Sequence, residues 1–141
     1  MLCEYNRSVI ALTETWLSQA VDNTGLGLND YSIYRLDRVS RGGVVLIGIR
    51  REIPSRIVNS SQNFEILSVD IRVHDQLLRV ITCYLPTIQK DDYVKGFILE
   101  LNNFIFISAY IILGDFNMPD IDWSCDIFQK DLFIVIVIGF S

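Results

Sequence analysis

The sequence lacks several features that mark common classes of protein. Its two apolar runs, Phe104 to Leu113 and Leu132 to Ile138, are shorter than the roughly 18 residues that a membrane span needs. The N-terminus has no basic region followed by an apolar run, so we predict neither a signal peptide nor a membrane partner. The three cysteines are odd in number and lack metal-ligand spacing. They predict reduced thiols in an intracellular protein, nuclear or cytoplasmic, without zinc.

Histidine is also scarce. The one histidine, His74, stands between Val73 and Asp75, where two strand-like segments meet. We predict an exposed hairpin turn there and no catalytic role for His74.

The most informative stretch is residues 111–119, Ile-Ile-Leu-Gly-Asp-Phe-Asn-Met-Pro. Its apolar start predicts a buried strand at 110–114, which Gly114 and the proline bring to an end. On an extended backbone, residues two apart share a face, so Asp115 and Asn117 are predicted to point the same way and Phe116 into the core. Such a pair could activate water or bind phosphate. The alternative is an ordinary Asp/Asn turn after a strand.

A second carboxylate follows a second apolar strand. The strand predicted at 8–14 places Ile10, Leu12 and Glu14 on one face. An acid that continues an apolar face is costly to bury unless it is paired or binds a metal. The alternatives are that the strand ends before Glu14 and the acid is solvated, or that Thr13 caps a short helix. Two acids, each at a strand exit, favour a shared site.

Five motifs in chain order resemble the endonuclease/exonuclease/phosphatase superfamily. They are Ala11-Leu12-Thr13-Glu14-Thr15-Trp16-Leu17, Tyr34-Arg35-Leu36-Asp37-Arg38, Arg41-Gly42-Gly43-Val44, Cys83-Tyr84-Leu85-Pro86, and Gly114-Asp115-Phe116-Asn117 with Asp122-Trp123. The resemblance runs from about residue 9 to residue 123. It is strongest to the branch at the front of non-LTR retrotransposon polyproteins, which is similar to apurinic/apyrimidinic endonucleases.

The resemblance implies a Mg²⁺-dependent DNA endonuclease, with Mn²⁺ as an alternative ion. Glu14 would hold the metal, which prefers carboxylate and water oxygens. Asp115 would orient or deprotonate the attacking water, and Asn117 would bind the phosphate or that water. Tyr84 would contact the phosphate; its alternative role is a cross-strand packing aromatic. The implied partners are DNA and the reverse transcriptase domain of the parent polyprotein.

The sequence departs from the family at both ends. Nothing upstream of Val9 matches the strand that carries an active-site Asn, and no closing Ser-Asp-His segment precedes Ser141. We therefore expect residues 1–141 to form a single, truncated domain that is weakly active or inactive. Two alternatives stay open: a phosphatase or lipid phosphodiesterase of the same superfamily, and a non-catalytic remnant of a decayed mobile element.

The charge distribution fits a polyanionic substrate better than the net charge of −5 does. Six arginines and two acids lie between Arg35 and Arg56, whereas five acids and one lysine follow from Asp115 onward. A basic stretch beside an acidic strand end is what a phosphodiesterase would use on DNA, with Arg38 and Arg41 as candidate contacts. An equally weighted alternative is that these charges have no ligand: the arginines lie in a solvated loop, and the acids protect the edge of a strand.

The pattern of elements predicts an α/β protein. Strands are predicted at 8–14, 31–35 and 44–50, a hairpin at 65–73 and 77–84, and helices near 16–20 and from Asp91 or Asp92 to about 107. The segment 131–138 is ambiguous, because relatives suggest a helix while its β-branched residues favour a strand. We expect an incomplete α/β sandwich of mixed β-sheets with outer helices, the deoxyribonuclease-I-like fold.

Overall fold

The computed structural model describes residues 7–13, 22–37, 45–87, 90–105, 109–117 and 135–137. Eight strands lie within these ranges, together with one α-helix and a short 3₁₀-helix at Asn23–Leu26. In chain order the elements are β1 (Val9–Leu12), β2 (Tyr31–Leu36), β3 (Val45–Arg50), β4 (Ser55–Ser60), β5 (Glu65–Val73), β6 (Gln76–Tyr84), α1 (Asp91–Phe104), β7 (Tyr110–Asp115) and β8 (Val135–Val137).

The strands form two sheets. The larger has the order β4-β5-β6-β7-β8, in which the first three strands are antiparallel and β6, β7 and β8 run parallel. The crossover from β6 to β7 passes through α1, as a parallel connection requires. The smaller sheet is antiparallel, with β3 between β1 and β2.

An apolar core separates the two sheets. From the larger sheet, Leu67, Val69 and Val80 point into it, and from the smaller sheet Ile47 and Ile49 do so. All five are at most 1% exposed. The alternation of side chains along a strand therefore gives each sheet one face that packs against the other sheet.

The opposite face of the larger sheet is covered by α1. Phe97 and Phe104 of the helix are buried against Ile66, Ile81 and Ile112 of the sheet. The predicted apolar helix face is confirmed, but the helix ends at Phe104 and not near residue 107. Asp91 and Asp92 do not cap it. Lys90 holds the N-cap position. The two acids lie in the first turn, where their negative charges interact favourably with the positive end of the helix dipole.

Three further outcomes concern the strands. Strand β1 ends at Leu12, two residues before Glu14. The edge strand β4 was not predicted, because its residues are mostly exposed and show no apolar alternation. Residues 135–137 form a strand, so the β-branched pattern decided the ambiguous segment. The predicted helix near 16–20 lies outside the described residues. The one described α-helix is neither long nor apolar enough to cross a membrane.

Candidate functional site

The two central parallel strands end side by side. Tyr84, the last residue of β6, is in register with Asp115, the last residue of β7. Tyr84 packs among the residues of the inter-sheet core and is 8% exposed, whereas Asp115 is partly exposed. Both lie on the inter-sheet face, because Asp115 alternates with Leu113, which packs against the same core. The sequence prediction that both residues stand at strand ends is confirmed.

Gly114 allows these strand ends to approach closely. A Cβ atom added at Gly114 would lie 2.1 Å from the carbonyl oxygen of Cys83 and 3.2 Å from its Sγ atom. No side chain fits without moving the backbone of β6. The glycine of the Gly-Asp-Phe-Asn motif is therefore required by packing at the base of the site.

A tight turn follows β7. Asn117 has a φ of 41°, so the extended backbone that was predicted through Asp115 and Asn117 is wrong. The structure has instead the Asp/Asn turn that the sequence left as the alternative. Asp115 Oδ1 accepts a hydrogen bond from the Asn117 backbone N–H at 3.1 Å. Asn117 Nδ2 donates to the Leu85 carbonyl oxygen at 2.8 Å, and the Leu85 N–H donates to the Asp115 carbonyl oxygen at 2.8 Å. Phe116 is buried against α1, as predicted.

These hydrogen bonds show that Asp115 and Asn117 have different structural roles. The amide of Asn117 ties the turn after β7 to the residue that follows Tyr84, so it fixes the two strand ends relative to each other. Asp115 uses one carboxylate oxygen to stabilise the turn. Its second oxygen, Oδ2, makes no hydrogen bond or ion pair within the described parts of the chain. That oxygen can accept a proton or bind a cation.

The remaining predicted site residues, Glu14, Arg38 and Arg41, lie outside the described residues. Strand β1, which leads to Glu14, lies against β7 across the inter-sheet space. Ile10 and Leu12 share a face, as predicted. It is the outer face of the smaller sheet, because Val9 is the residue that packs into the inter-sheet core. The predicted convergence of Glu14 with Asp115 stays a prediction.

His74 lies far from this site. Together with Asp75 it forms the β5–β6 turn, and the φ angles of 48° and 64° match the hairpin turn that was predicted. The extended strand β6 separates His74 from Tyr84 by roughly 30 Å, at about 3.4 Å per residue. Both turn residues are exposed.

Sequence reasoning missed one acid at the site. Glu65, the first residue of β5, is directly opposite Tyr84 in the antiparallel β5–β6 pair. It is 2% exposed. A signal was present in the sequence, because Glu65 begins the alternating series that continues with Leu67, Val69 and Ile71 on the inter-sheet face.

The chain has two packed sheets, an outer helix and a polar strand end beside the inter-sheet core. This arrangement is a deoxyribonuclease-I-like α/β sandwich. The chain is similar to the human Nocturnin catalytic domain with bound sulfate anion (TM-score 0.58, 13% identity, 79% of this chain and 51% of that one). It is also similar to D. rerio TDP2 humanised by 14 mutations (TM-score 0.55, 15% identity, 80% and 50%). Truncated Caenorhabditis elegans TDP2 matches with a TM-score of 0.52 (15% identity, 82% and 51%).

These similarities establish the fold. The structures have the deoxyribonuclease-I-like fold of the endonuclease/exonuclease/phosphatase superfamily, so the predicted fold class is confirmed. The chain spans about half the length of the solved structures that it matches. No protein-family model and no curated protein matches the sequence.

Proposed function

We propose that this chain carries part of the active site of a Mg²⁺-dependent phosphodiesterase that nicks DNA, of the non-LTR retrotransposon endonuclease type. The observation that carries the proposal is the in-register pair of Tyr84 and Asp115 at the carboxyl ends of two parallel strands. Ligands bind outside the carboxyl ends of such strands in many α/β folds. The sequence motifs around both residues support the choice of a nuclease.

The similar structures support a phosphate-containing substrate. The human Nocturnin catalytic domain holds a sulfate anion, and another D. rerio TDP2 structure is a complex with a single-strand DNA product (TM-score 0.50, 13% identity). For this chain we propose DNA as the substrate and a reverse transcriptase domain as a partner in the parent polyprotein.

In the proposed reaction, Asp115 Oδ2 orients the attacking water or takes its proton. The bond from Asn117 N–H to Oδ1 holds the carboxylate in place while Oδ2 does so. The Tyr84 hydroxyl donates a hydrogen bond to a phosphate oxygen. Asn117 holds the turn through Leu85, and we propose that its remaining hydrogen-bonding capacity serves the phosphate or the water.

A divalent cation fits the chemistry of this site. Glu65 and Asp115 place two carboxylates on either side of Tyr84, and a phosphodiester adds further negative charge. Among the described residues no cluster of three or more His, Cys, Asp or Glu could hold a metal ion. We propose that Glu14, with water, holds Mg²⁺ or Mn²⁺. When bound, such an ion would stabilise the negative charge on the phosphate and on the departing 3′ oxygen.

Nicking of supercoiled plasmid in the presence of Mg²⁺ tests this proposal. Asp115→Asn keeps an acceptor for the Asn117 N–H but cannot take a proton, so we expect nicking to fall by about 10² to 10⁴. Asp75→Asn is the matched control, because it removes an exposed acid from the distant hairpin turn. Equal nicking by the wild type and Asp115→Asn would contradict the proposed role of Asp115.

A substrate panel separates the nuclease from the other enzymatic branch. The same preparations are given a phosphate monoester and a phosphoinositide in place of plasmid. We expect cleavage of DNA alone. Asp115-dependent release of phosphate from the monoester, or Asp115-dependent cleavage of the phosphoinositide, would favour a phosphatase or lipid phosphodiesterase.

A non-catalytic remnant is the second candidate function, and the position of His74 favours it. The resemblance implies a histidine in the completed site, yet the one histidine of this sequence lies roughly 30 Å from Tyr84 along an extended strand. Folded protein without Mg²⁺-dependent nicking above the Asp115→Asn background would support this candidate.

A further inference from the structure

A cavity lies beside β2, the edge strand of the smaller sheet. This β2 cavity has a volume of about 270 Å³, and it is lined by residues of β2, by residues that precede the strand, and by Arg51, which follows β3. The polar residues of the lining are Asn23, Thr24, Asn29, Tyr31, Ser32 and Arg51. None of the described residues that line it is an acid. The volume is just below the roughly 300–1,000 Å³ of pockets for drug-sized ligands, so the cavity suits a small polar group.

The pattern of ion pairs singles out Arg51. Within the basic stretch from Arg35 to Arg56, three of the described arginines form ion pairs with acids, namely Arg35, Arg50 and Arg56. The guanidinium group of Arg51 makes no ion pair or hydrogen bond with any residue that the structure describes. Arg51 is also the one of these four arginines that lines the β2 cavity. The cavity therefore has a positive charge that no acid of the described chain neutralises.

Other hydrogen-bond donors line the same cavity. Asn23 Oδ1 accepts a hydrogen bond from Arg35 Nη1 at 3.3 Å, so the amide nitrogen of Asn23 is left to donate. The side chains of Asn29 and Ser32 make no hydrogen bond to any residue in the described ranges, and Ser32 is half-buried. A guanidinium group with amide and hydroxyl donors is the set that binds the oxygens of an anion such as phosphate.

Backbone hydrogen bonds hold the walls of the cavity together. The Arg51 N–H donates to the Asp30 carbonyl oxygen at 2.9 Å, and the Tyr31 N–H donates to the Leu28 carbonyl oxygen at 3.0 Å. Leu28 is buried, which fixes the middle of the segment before β2. These bonds tie Arg51 to the segment that carries the two asparagines. A cavity that is already formed loses little conformational entropy when it binds a ligand.

We propose that the β2 cavity binds a phosphate group through Arg51, with Asn23, Asn29 and Ser32 as further donors. This phosphate is distinct from one bound at Asp115. Strand β2 lies against β4 and β5, whereas β1 lies against β7, and the two strands flank β3 about 10 Å apart. The phosphate belongs either to a free nucleotide or to the backbone of a nucleic acid. The inference goes beyond the proposed function and does not depend on it.

NMR titration of ¹⁵N-labelled protein with inorganic phosphate, at an ionic strength held constant with chloride, tests the site. We expect saturable shifts of the backbone amide resonances of residues 23–32 and of Arg51. Arg51→Gln should weaken phosphate binding at least about tenfold, because a charge-assisted hydrogen bond is lost. The matched control is Arg72→Gln, which removes an exposed arginine of β5 that does not line the cavity and should leave the affinity unchanged.

Three outcomes would overturn the inference. They are equal weakening by Arg51→Gln and Arg72→Gln, no shift at residues 23–32, and shifts confined to Tyr84 and Asn117. If phosphate binds at Arg51 but the wild type does not nick DNA, the inference stands and the proposed function fails.

Titration with AMP and with a short deoxythymidine oligonucleotide distinguishes the two sources of the phosphate. Tighter binding of the oligonucleotide at residues 23–32 would assign the cavity to a nucleic-acid backbone, and tighter binding of AMP would assign it to a free nucleotide. In either case Arg51→Gln should weaken the tighter ligand at least about tenfold. Binding of both ligands that is unaffected by Arg51→Gln would overturn the inference.

Discussion

At the residue scale, Gly114 sets the geometry of the candidate site. An added Cβ would lie 2.1 Å from the Cys83 carbonyl oxygen, which belongs to the backbone and cannot rotate away. We expect Gly114→Ala to force the strand ends apart and to lower the free energy of unfolding by about 1–3 kcal/mol. Urea denaturation followed by circular dichroism measures this change.

Gly48→Ala is the control for that prediction. It also replaces a strand glycine, but the nearest atoms to its added Cβ are side-chain atoms at 3.4 Å or more, an ordinary contact distance. Its unfolding midpoint should stay close to that of the wild type or rise slightly. If both variants lose the same free energy of unfolding, the close approach of the two strands at Gly114 does not require a glycine there.

Cys83, which faces α1 next to Gly114, gives a pH-dependent prediction. Burial raises the pKa of the Cys83 thiol, because the apolar surroundings disfavour the thiolate. An unfolded thiol ionises above about pH 8.5. The stability contributed by the neutral buried thiol is therefore present below that pH and is lost as the pH rises.

Alkylation with iodoacetamide at pH 8, read by peptide mass spectrometry, checks the protection of Cys83. The folded chain should leave Cys83 unmodified, because only the thiolate reacts readily. The urea-unfolded chain is the control and should be modified at Cys83. Modification of Cys83 in the folded chain at the unfolded rate would disprove its burial.

At the scale of elements, a buried ion pair joins β5 and β6 to the end of α1. Arg79 Nε lies 2.7 Å from Asp70 Oδ1, and Arg79 Nη1 donates to the Phe104 carbonyl oxygen at 2.9 Å, where the helix ends. Arg79→Leu would leave the 1%-exposed Asp70 without this partner. We expect a loss of about 3–5 kcal/mol in the free energy of unfolding.

Arg56→Leu is the matched control for Arg79. Arg56 also approaches Asp70, at 3.8 Å, but its own side chain is 75% exposed. Its removal should change the free energy of unfolding by less than about 1 kcal/mol. If denaturant titration gives the two variants the same stability, the buried pair does not fix α1 to the sheet.

The elements that the sequence predicted correctly are those with strong local signals. The β5–β6 hairpin, β7 and α1 follow from alternation, a terminal glycine and a helical apolar face. Strand β4 carries no such signal, since Ile57 and Val58 are exposed and the edge position gives it one partner strand. The turn after β7 was the alternative that the sequence left open at Asp115 and Asn117. Its hydrogen bond to Leu85 could not be predicted, because it joins residues far apart in the sequence.

At the scale of the whole molecule, the fold brings motifs from separate strands to one edge. Tyr84 and Asp115 meet because β6 and β7 are parallel and adjacent, a pairing that depends on the crossover through α1. The alternation that Glu65 begins and the predicted turn at His74 and Asp75 carried the signal that places Glu65 opposite Tyr84. The motifs could thus be recognised from sequence, whereas the pairing of β6 with β7, which joins Tyr84 to Asp115, could not.

The central claim is that acids from the two sheets share one cation-dependent site. A crystal structure with Mn²⁺, using the anomalous scattering of the ion, tests it most directly. We expect the ion between Glu14 and Asp115, with the two carboxylates no more than about 10 Å apart, because one ion and its water ligands span only a few ångströms on each side. An ion bound elsewhere, or a greater separation of these carboxylates, would contradict the account.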